Sequence, residues 1–497
     1  MTTPSCPPRH VEREFLLAFW KLRIRRSRSG GSQGFDLLRV GPVRRLVEWK
    51  GFPYVFQAML LAGFLVLLLV GWGRRTPPGV NAKLFAKTNV VTLLVWGLWW
   101  PSMIWVAVLF GRAWCMVCPL ELVSNVSERL ARAAGVRQRP LPRRLAAGGL
   151  IVALYAAIQL LVAGAHINRI PAYTALFLLA LLGIAAVTGL LLRDRAFCRG
   201  FCPVGQLLAT YGRGGMLAVR AGSSEACGAC TGKGCLLSCN RTRLDARSCP
   251  SLLNPPRLNS NRECLVCGQC LKACAPDNMQ LLLRRPFPKE DAREREASWP
   301  TTLFVMLVSG FVTWELLAEW PRAEDVFLSI PRWLANGLGV PSLSGFLVGV
   351  WALAFVPLAL WTLAFAAARM AGSTGSIGTT WRRLALPVAV VVSAGHMAKG
   401  LAKVVSWGPF LPGALHDPTG VATAIALSTR ASSQPPALTP LPVVAAVGAI
   451  LILAGTFLAA REARLSETEG RVDRRLLAPK LALAAAYLGV MVGWSLQ

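Results

Sequence analysis

The cysteine run Cys227-Gly-Ala-Cys230-Thr-Gly-Lys-Gly-Cys235-Leu-Leu-Ser-Cys239, then Cys249-Pro250, then Cys264-Leu-Val-Cys267-Gly-Gln-Cys270-Leu-Lys-Ala-Cys274, decides how the rest of the sequence is interpreted. The last run has two residues between each of its first three cysteines and three before the fourth. The first run carries two extra residues between its second and third cysteines. Turn-forming residues and few long apolar runs separate these cysteines, so metal centres must supply much of the folding free energy of this region.

The spacing of the last run is the one with which three thiolates hold one [4Fe-4S] cluster while the fourth crosses to a neighbouring cluster. The sequence therefore predicts two clusters. The cross-over rule assigns one to Cys227, Cys230, Cys235 and Cys274, and the other to Cys264, Cys267, Cys270 and either Cys239 or Cys249.

Zinc and disulfides are the alternatives for these cysteines. Zinc ribbons use separated pairs of cysteines, whereas here three thiolates lie within seven residues and a fourth follows four residues later. Disulfides need an oxidising compartment, and the topology described next predicts that this segment lies in the cytoplasm. Both alternatives are therefore weaker than iron-sulfur ligation.

The composition indicates a multispanning membrane protein. The chain has 497 residues, of which 54% are hydrophobic, and its mean hydropathy is positive. Its formal charge of +30 could suggest nucleic acid, but no nucleic-acid-reading motif accompanies the charge. Blocks of Arg beside apolar runs instead follow the positive-inside rule, which excludes nucleic acid as a partner and leaves membrane lipid.

Nine segments approach the roughly 20 apolar residues that a bilayer requires; they are 51–72, 89–110, 146–168, 172–192, 299–320, 342–368, 384–407, 441–461 and 480–496. With the N-terminus inside, segment 1–50 carries eleven Lys and Arg and segment 193–298 carries seventeen, whereas the outer loops carry one to four. The alternation predicts a bacterial cytoplasmic (inner) membrane protein with the N-terminus and the cysteine-rich insert in the cytoplasm.

The predicted fold class is mainly α, a polytopic membrane helical bundle of about nine spans with an inserted cytoplasmic two-cluster α+β domain. Its domains are a basic cytoplasmic segment at 1–50, a duplicated two-helix membrane unit at 51–211, the cluster domain at 212–298 and a C-terminal membrane bundle at 299–497. The run 14–20 is predicted to form a surface helix near anionic lipid. Cys6 is predicted to take no part in the metal sites. The basic tail 284–295 is predicted to dock lipid or acidic proteins.

A repeated cysteine-proline element suggests a duplicated two-span unit. Span two ends in Gly111-Arg-Ala-Trp-Cys115-Met-Val-Cys118-Pro119, and span four in Arg195-Ala-Phe-Cys198-Arg-Gly-Phe-Cys202-Pro203. Each Pro suits the first turn of a following surface helix, over 121–135 and 204–214. If the units pair, Cys115, Cys118, Cys198 and Cys202 form a candidate third metal site. The alternatives are redox-active dithiols, copper(I) ligation and structural cysteines.

The C-terminal half places ionisable residues at membrane depth, where they are costly and often functional. His396, Lys399 and Lys403 share one stripe of span seven, and Glu315 with Glu319 are predicted counter-charges. A haem ligand would need His166 or His416 as partner, and both lie near the outer ends of their regions. A quinone or proton-relay role for His396 and Lys399 is preferred over haem. The alternative is that these side chains only line the bundle interior.

The order of motifs resembles that of membrane polyferredoxins related to NosR and NapH, and more distantly that of copper-oxidase accessory proteins of the CcoG (FixG) type. The resemblance covers about residues 50–285. It implies a ferredoxin-type 4Fe-4S protein that transfers electrons between a cytoplasmic or quinol donor and a membrane-linked reductase, as a component of an oxidoreductase system with redox partner proteins. The accessory branch implies instead reduction of copper during enzyme assembly, and a redox-sensing regulatory protein is a further alternative.

Two features depart from the family pattern. The family's paired motif is usually C-x3-C-P, and the Cys115/Cys118 pair is one residue shorter. The region after residue 300 has no counterpart in the resemblance, so the role of the C-terminal bundle is not implied by it.

Overall fold

The computed structural model describes residues 34–288, 296–466 and 476–497. The predicted surface helix at 14–20, Cys6 and the end of the basic tail at 289–295 lie outside the described residues. In chain order the helices are α1 (Gly41–Glu48), α2 (Tyr54–Gly71), α3 (Ala82–Thr88), α4 (Val90–Phe110), α5 (Ala113–Val117), α6 (Pro119–Ala133), α7 (Arg143–Ala146), α8 (Gly149–Gly164), α9 (Pro171–Leu191), α10 (Ala196–Gly200), α11 (Pro203–Tyr211), α12 (Ser224–Gly228), α13 (Gln269–Lys272), α14 (Trp299–Leu317), α15 (Pro321–Gly337), α16 (Pro341–Met370), α17 (Ile377–Trp407), α18 (Leu411–His416), α19 (Val421–Ser428), α20 (Leu441–Ser466) and α21 (Leu477–Ser495).

The prediction of a mainly α, polytopic membrane protein is confirmed. Within the described ranges, eight helices are long and apolar enough to cross a bilayer; they are α2, α4, α9, α14, α16, α17, α20 and α21. The remaining predicted span, 146–168, appears as the shorter α8 of 16 residues. Span lengths and hydropathy in the sequence were therefore sufficient to find the membrane helices.

Helix α17 is the core of the C-terminal half. Ser376 caps the N-terminus of α17 by accepting a hydrogen bond from the Thr379 backbone N–H. Of the most apolar 18-residue stretch of this helix, 89% is buried. It packs against α14, α20 and α21, and on another side against α4 and α11 of the N-terminal unit. A single buried helix thus joins the two halves of the membrane bundle.

The two cysteine-proline hairpin ends meet through backbone contact. Pro119 and Pro203 occupy the first turns of α6 and α11, as predicted from the sequence. Gly111 ends α4 with φ of +69°, and a Cβ added at Gly212 would lie 2.7 Å from the Gly111 Cα. Only glycine permits this approach, which brings the end of α11 against the turn that precedes Cys115.

The cysteine-rich domain contains a three-stranded antiparallel sheet in the order β1-β3-β2, with β1 at Phe35–Asp36, β2 at Leu217–Ala221 and β3 at Met279–Leu283. Phe35 pairs with Leu283, and Leu217 pairs with Leu283 on the opposite edge. Val47 of α1 and Phe52 join the core of this domain beside Cys264. The end of the predicted 1–50 segment therefore packs as part of the cysteine-rich domain, a contact that the sequence analysis did not include.

A buried carboxylate ties this domain to the membrane unit. Glu121, in the first turn of α6, accepts a hydrogen bond from Arg247 Nη2 at 2.7 Å and one from Gln57 Nε2 at 2.7 Å. Arg195 Nε lies 3.1 Å from Glu121 Oε1. All four side chains are buried. Burial opposes ionisation of Glu121, but Arg247 and Arg195 outweigh it and hold the pKa of the carboxyl below its ordinary value.

Replacing Glu121 by alanine should destabilise the protein by about 3 to 5 kcal/mol, because it leaves two buried guanidinium groups without a counter-charge. Glu48 is the control, since its ion pair with Arg44 is half-exposed and its loss should cost less than about 1 kcal/mol. Denaturant unfolding of the purified protein measures both changes. Equal effects of the two substitutions would contradict the role assigned to Glu121.

The stabilisation by Glu121 should also depend on pH. Because its folded-state pKa is lowered, the contribution is fully present above the unfolded-state carboxyl pKa and is lost as pH falls through the folded-state pKa. The stability difference between the wild type and Glu121→Gln should therefore be larger at neutral pH than under strongly acidic conditions. Unfolding curves over a pH series check this, and a difference that grows on acidification would contradict it.

Candidate metal centres

The structure brings together the first predicted cysteine set. Burial raises the pKa of the Cys235 thiol to about 11, and charge on Cys274, Cys227 and Cys230 adds to the effect. Asn278 donates from its backbone N–H to Cys274 Sγ and from its side chain to Cys227 Sγ, both at 3.2 Å. Sequence reasoning missed Asn278, and its position four residues after Cys274 was the only signal.

Cys249 has interactions with both predicted sets: its backbone N–H donates to the Cys235 carbonyl at 3.1 Å, and its charge affects the pKa values of Cys264 and Cys270. Burial raises the pKa of the Cys264 thiol to about 12, and charge on Cys267 and on Cys249 adds to the effect. The pKa of Cys270 is raised by burial and then by Cys267, Cys264 and Cys249. Cys249 is a free thiol, whereas Cys239 lies in the short 3-10 helix Ser238–Thr242. Of the two predicted alternatives for the fourth thiol, Cys249 is the one whose charge affects Cys264 and Cys270.

The four cysteines of the hairpin ends converge on one cavity of about 80 Å³. Its wall includes Cys115, Cys118, Cys198 and Cys202. Burial raises the pKa of the Cys202 thiol to about 12, and charge on Cys198 and Cys115 adds to the effect. Across the part of the chain that the structure describes, no three His, Cys, Asp or Glu side chains are close enough to hold one metal ion. The thiols instead surround a common space at the membrane face.

Buried arginines line the same cavity. Arg112 and Arg195 are 6% and 5% exposed, and within the described residues Arg112 Nε and Arg195 Nη2 have no hydrogen-bond acceptor. Four thiolates around an inorganic iron-sulfur core carry net negative charge and accept N–H hydrogen bonds at sulfur. The donor set and the unpaired N–H groups therefore fit an iron-sulfur cluster held by these cysteines.

Arg195 connects this cavity with the second set. Burial alone would lower the pKa of Arg195, but negative charge on Cys198, Glu121, Cys115 and Cys267 outweighs it and raises the pKa. Asp194 and Arg195 both adopt left-handed backbone conformations, with φ of 64° and 56°, at a cost of about 1 to 3 kcal/mol each. Their backbone N–H groups lie 3.1 and 3.4 Å from Glu128 Oε2, which accepts from both. The fold thus holds a strained turn that places one guanidinium between two groups of cysteines.

Aromatic side chains form one wall of the cavity. Residues Leu93–Trp99 of α4 form a π-helical segment, a feature that often marks functional sites. Trp96, Trp99 and Trp100 line the cavity, and the rings of Trp99 and Trp114 lie 5.3 Å apart, edge to face. Sequence reasoning singled out none of the tryptophans at 96, 99 and 100, because they are part of the apolar run that predicts span 89–110.

The predicted relay residues lie behind this wall. His396 Nδ1 is 3.2 Å from the Tyr211 hydroxyl. Lys399 Nζ is 2.7 Å from Glu319 Oε1 and 3.6 Å from Glu315 Oε2, so the predicted counter-charges are present. His166 adopts a positive φ of 52° between α8 and α9, and His416 ends α18. No contact in the described residues joins either of them to His396.

Replacing Cys249 by serine should remove about four iron atoms per chain, because a [4Fe-4S] cluster needs its fourth thiolate. Cys239→Ser is the matched control and should retain the wild-type iron content. Iron analysis of anaerobically purified protein with low-temperature EPR measures both. Loss of iron from Cys239→Ser alone would show that the other thiol is the ligand.

Replacing both Cys115 and Cys198 by serine should lower the iron content from about twelve to about eight atoms per chain, because only the cavity at the membrane face is affected. Metal analysis for iron, copper and zinc checks this. A wild-type preparation with about eight iron atoms and bound copper(I), lost in the double variant, would instead show a copper site.

Comparison with known proteins follows the duplicated hairpins. Residues 92–137 and 174–220 each match a family described as a 4Fe-4S binding domain, which supports the predicted repeat. An uncharacterized protein of Methanocaldococcus jannaschii is 24% identical over 245 residues, or 48% of this chain and 88% of that protein. No solved structure shows a significant match.

Two relatives are ferredoxin-type NapH proteins. The one from Haemophilus influenzae is 24% identical over 34% of this chain and 61% of its own length, and the one from Escherichia coli is 23% identical over 35% of this chain and 62% of its own length. The chain thus spans less than two thirds of either NapH protein. The 4Fe-4S family match, the membrane helices and these relatives together support the resemblance of this chain to membrane polyferredoxins of the NapH and NosR type.

Proposed function

We propose that this chain passes electrons between a cytoplasmic or quinol donor and a membrane-linked reductase, through three thiol-held iron-sulfur sites. Two sites are assigned to the cysteine-rich domain, by Cys227, Cys230, Cys235 and Cys274 and by Cys249, Cys264, Cys267 and Cys270. The third is assigned to Cys115, Cys118, Cys198 and Cys202. When bound, the clusters supply one-electron chemistry.

The observation that carries the proposal is the convergence of Cys115, Cys118, Cys198 and Cys202 on one cavity, beside a cysteine-rich domain that is joined to the membrane unit by the Arg247–Glu121 contact. Charge on Cys235 raises the pKa of the Cys270 thiol, so a thiol of the first set interacts with one of the second. The positive charge of Arg195 acts to lower the pKa values of both Cys267 and Cys198, so it interacts with the second set and with the cavity at the membrane face. These interactions support an electron path from the cysteine-rich domain to the thiols at the membrane face.

The arginines also have a role in the proposed function. Reduction adds negative charge to a site, and a buried guanidinium stabilises that charge more strongly than an exposed one because screening is weak. Arg112, Arg195 and Arg247 are all buried beside cysteines or beside Glu121. They favour the reduced state, while Glu121 offsets part of their charge.

The orientation belongs to the same proposal. The connections on the cysteine side hold most of the Lys and Arg, and by the positive-inside rule this charge bias supports an orientation with that side in the cytoplasm of a bacterium with the protein in its inner membrane. Electrons would then pass between cytoplasmic sites and the membrane. His396 and Lys399, behind the tryptophan wall, are the candidate quinone or proton-relay residues.

The test is quinol-dependent and dithionite-dependent reduction of the clusters in the full-length protein, followed by EPR. The wild type should show both, and the Cys115→Ser/Cys198→Ser variant should lose quinol-dependent reduction while the cysteine-rich domain is still reduced by dithionite. Two rival functions give other results. A copper-delivering assembly factor would bind copper(I) at the four membrane-face thiols, and a regulatory protein would show clusters whose loss leaves quinol-dependent reduction unaffected.

Arg195→Met should lower the reduction potential of the membrane-face site and of the second set, because it removes a buried positive charge next to both. The first set should be unchanged. Arg199→Met is the control, since Arg199 follows Cys198 but does not line the four-cysteine cavity. EPR-monitored redox titration measures all three sites, and an equal shift in both variants would contradict the assignment.

A further inference from the structure

A second, smaller cavity lies next to the four-cysteine cavity. It measures about 30 Å³ and shares Trp96, Trp100 and Gln159 with the larger cavity as a common wall. Its other side is formed by α14 and α17, through Glu315, His396 and Lys399. The two cavities are therefore neighbours, one lined by thiols and the other by ionisable groups.

Two amide oxygens in this small cavity need a hydrogen-bond donor. Gln159 Oε1 and Asn168 Oδ1 are buried, and the described part of the chain offers neither of them a partner. An unsatisfied buried acceptor costs about 1 to 3 kcal/mol. The cavity has the volume of about one water molecule in the liquid, and its polar lining offers such a water several partners.

The charges around the cavity nearly balance. Glu315 and His396 are faced by Lys399, Lys403 and Arg169, by Glu319, and by the hydroxyls of Tyr211 and Tyr155. Lys399 is closer to Glu319, at 2.7 Å, than to Glu315, at 3.6 Å. Lys399 therefore keeps a carboxylate partner when Glu315 is neutral.

The polar residues run from one end of the bundle to the wall of the thiol cavity. Asn168 lies in the connection between α8 and α9, and Glu319 follows the end of α14. Both positions are at the opposite end of their helices from the cysteine-rich domain, since α9 leads to Cys198 and α14 begins just after that domain. The cavity lies between these ends and the tryptophan wall.

We propose that this cavity holds water and that Glu315 takes up a proton through it, from the aqueous phase opposite the cysteines, when the four-cysteine site is reduced. The inference rests on the proposed electron-transfer function and deepens it. One electron added at the thiol-held site is balanced by one proton added to the Glu315 carboxylate, which becomes a neutral carboxylic acid. Lys399 and Glu319 position Glu315 and keep the entrance polar.

Redox titration of the full-length protein at several pH values tests the proposal. Coupling to one proton changes the reduction equilibrium of the membrane-face site by about tenfold per pH unit. Glu315→Gln should abolish this dependence, whereas Asp325→Asn, an exposed carboxylate on the same side, should preserve it. Infrared difference spectra of oxidised and reduced protein should show a protonated carboxyl band in the wild type and in Asp325→Asn, and none in Glu315→Gln.

A second variant tests the water path without removing a charge. Asn168→Leu should slow proton uptake on reduction at least tenfold, measured with a pH-sensitive dye after rapid mixing, while the equilibrium pH dependence stays as in the wild type. Iron content reports whether each variant assembles, and Asn168→Leu tests the path even if Glu315→Gln does not fold.

The outcomes separate this inference from the proposed function. Protein that carries no iron at the four membrane-face cysteines would overturn the electron-transfer proposal. Protein with iron there, but with a pH-independent potential and no carboxyl band on reduction, would overturn the proton path and leave electron transfer standing.

Discussion

The buried Glu121 carboxylate is the interaction on which the arrangement of the cysteines depends. It contacts Gln57 from the first membrane helix, Arg195 from the second hairpin and Arg247 from the cysteine-rich domain. A buried charge is stable only when its partners are held in place, so these three parts of the chain must assemble together. The same carboxylate offsets the charge of two guanidinium groups that lie beside cysteines.

This arrangement explains why Arg195 is held in a strained turn. One guanidinium between two thiol groups raises the local potential at both, and a second at Arg112 adjoins the membrane-face cavity. In a low-dielectric setting each charge acts over a longer range than at a surface. Buried arginines and carboxylates can therefore tune neighbouring redox sites even where they do not touch the metal.

The sequence predicted the membrane helices and the repeated hairpin well, because both depend on local patterns. Apolar length determined the spans, and proline after cysteine determined the starts of α6 and α11. It could not predict that Val47 and Phe52 belong to the core of the cysteine-rich domain, since that contact joins residues more than 200 positions apart.

The candidate sites likewise include features that local sequence patterns predicted and features that only the folded chain reveals. Cysteine spacing grouped the thiols but left Cys239 and Cys249 as alternatives, and only the folded chain shows that charge on Cys249 affects the pKa of the Cys264 thiol. Glu121, Asn278 and the tryptophan wall carried no sequence signal, because a single Glu or Asn, or tryptophans within an apolar span, do not indicate which side chains they will meet in the fold. The pairing of Lys399 with Glu319 was predictable because charged residues within a membrane must find partners.

The sheet of the cysteine-rich domain has a consequence for biosynthesis. Its edge strand β1 comes from residues 35–36, while its centre, β3, comes from residues 279–283, so about 240 residues must leave the ribosome before the two can pair. During that interval the apolar helices α2, α4, α8 and α9 are synthesised, and so are the cysteines between the strands, which are not yet enclosed. Iron and sulfide therefore have a window in which to enter from solution, and closure of the sheet by the early segment would end it.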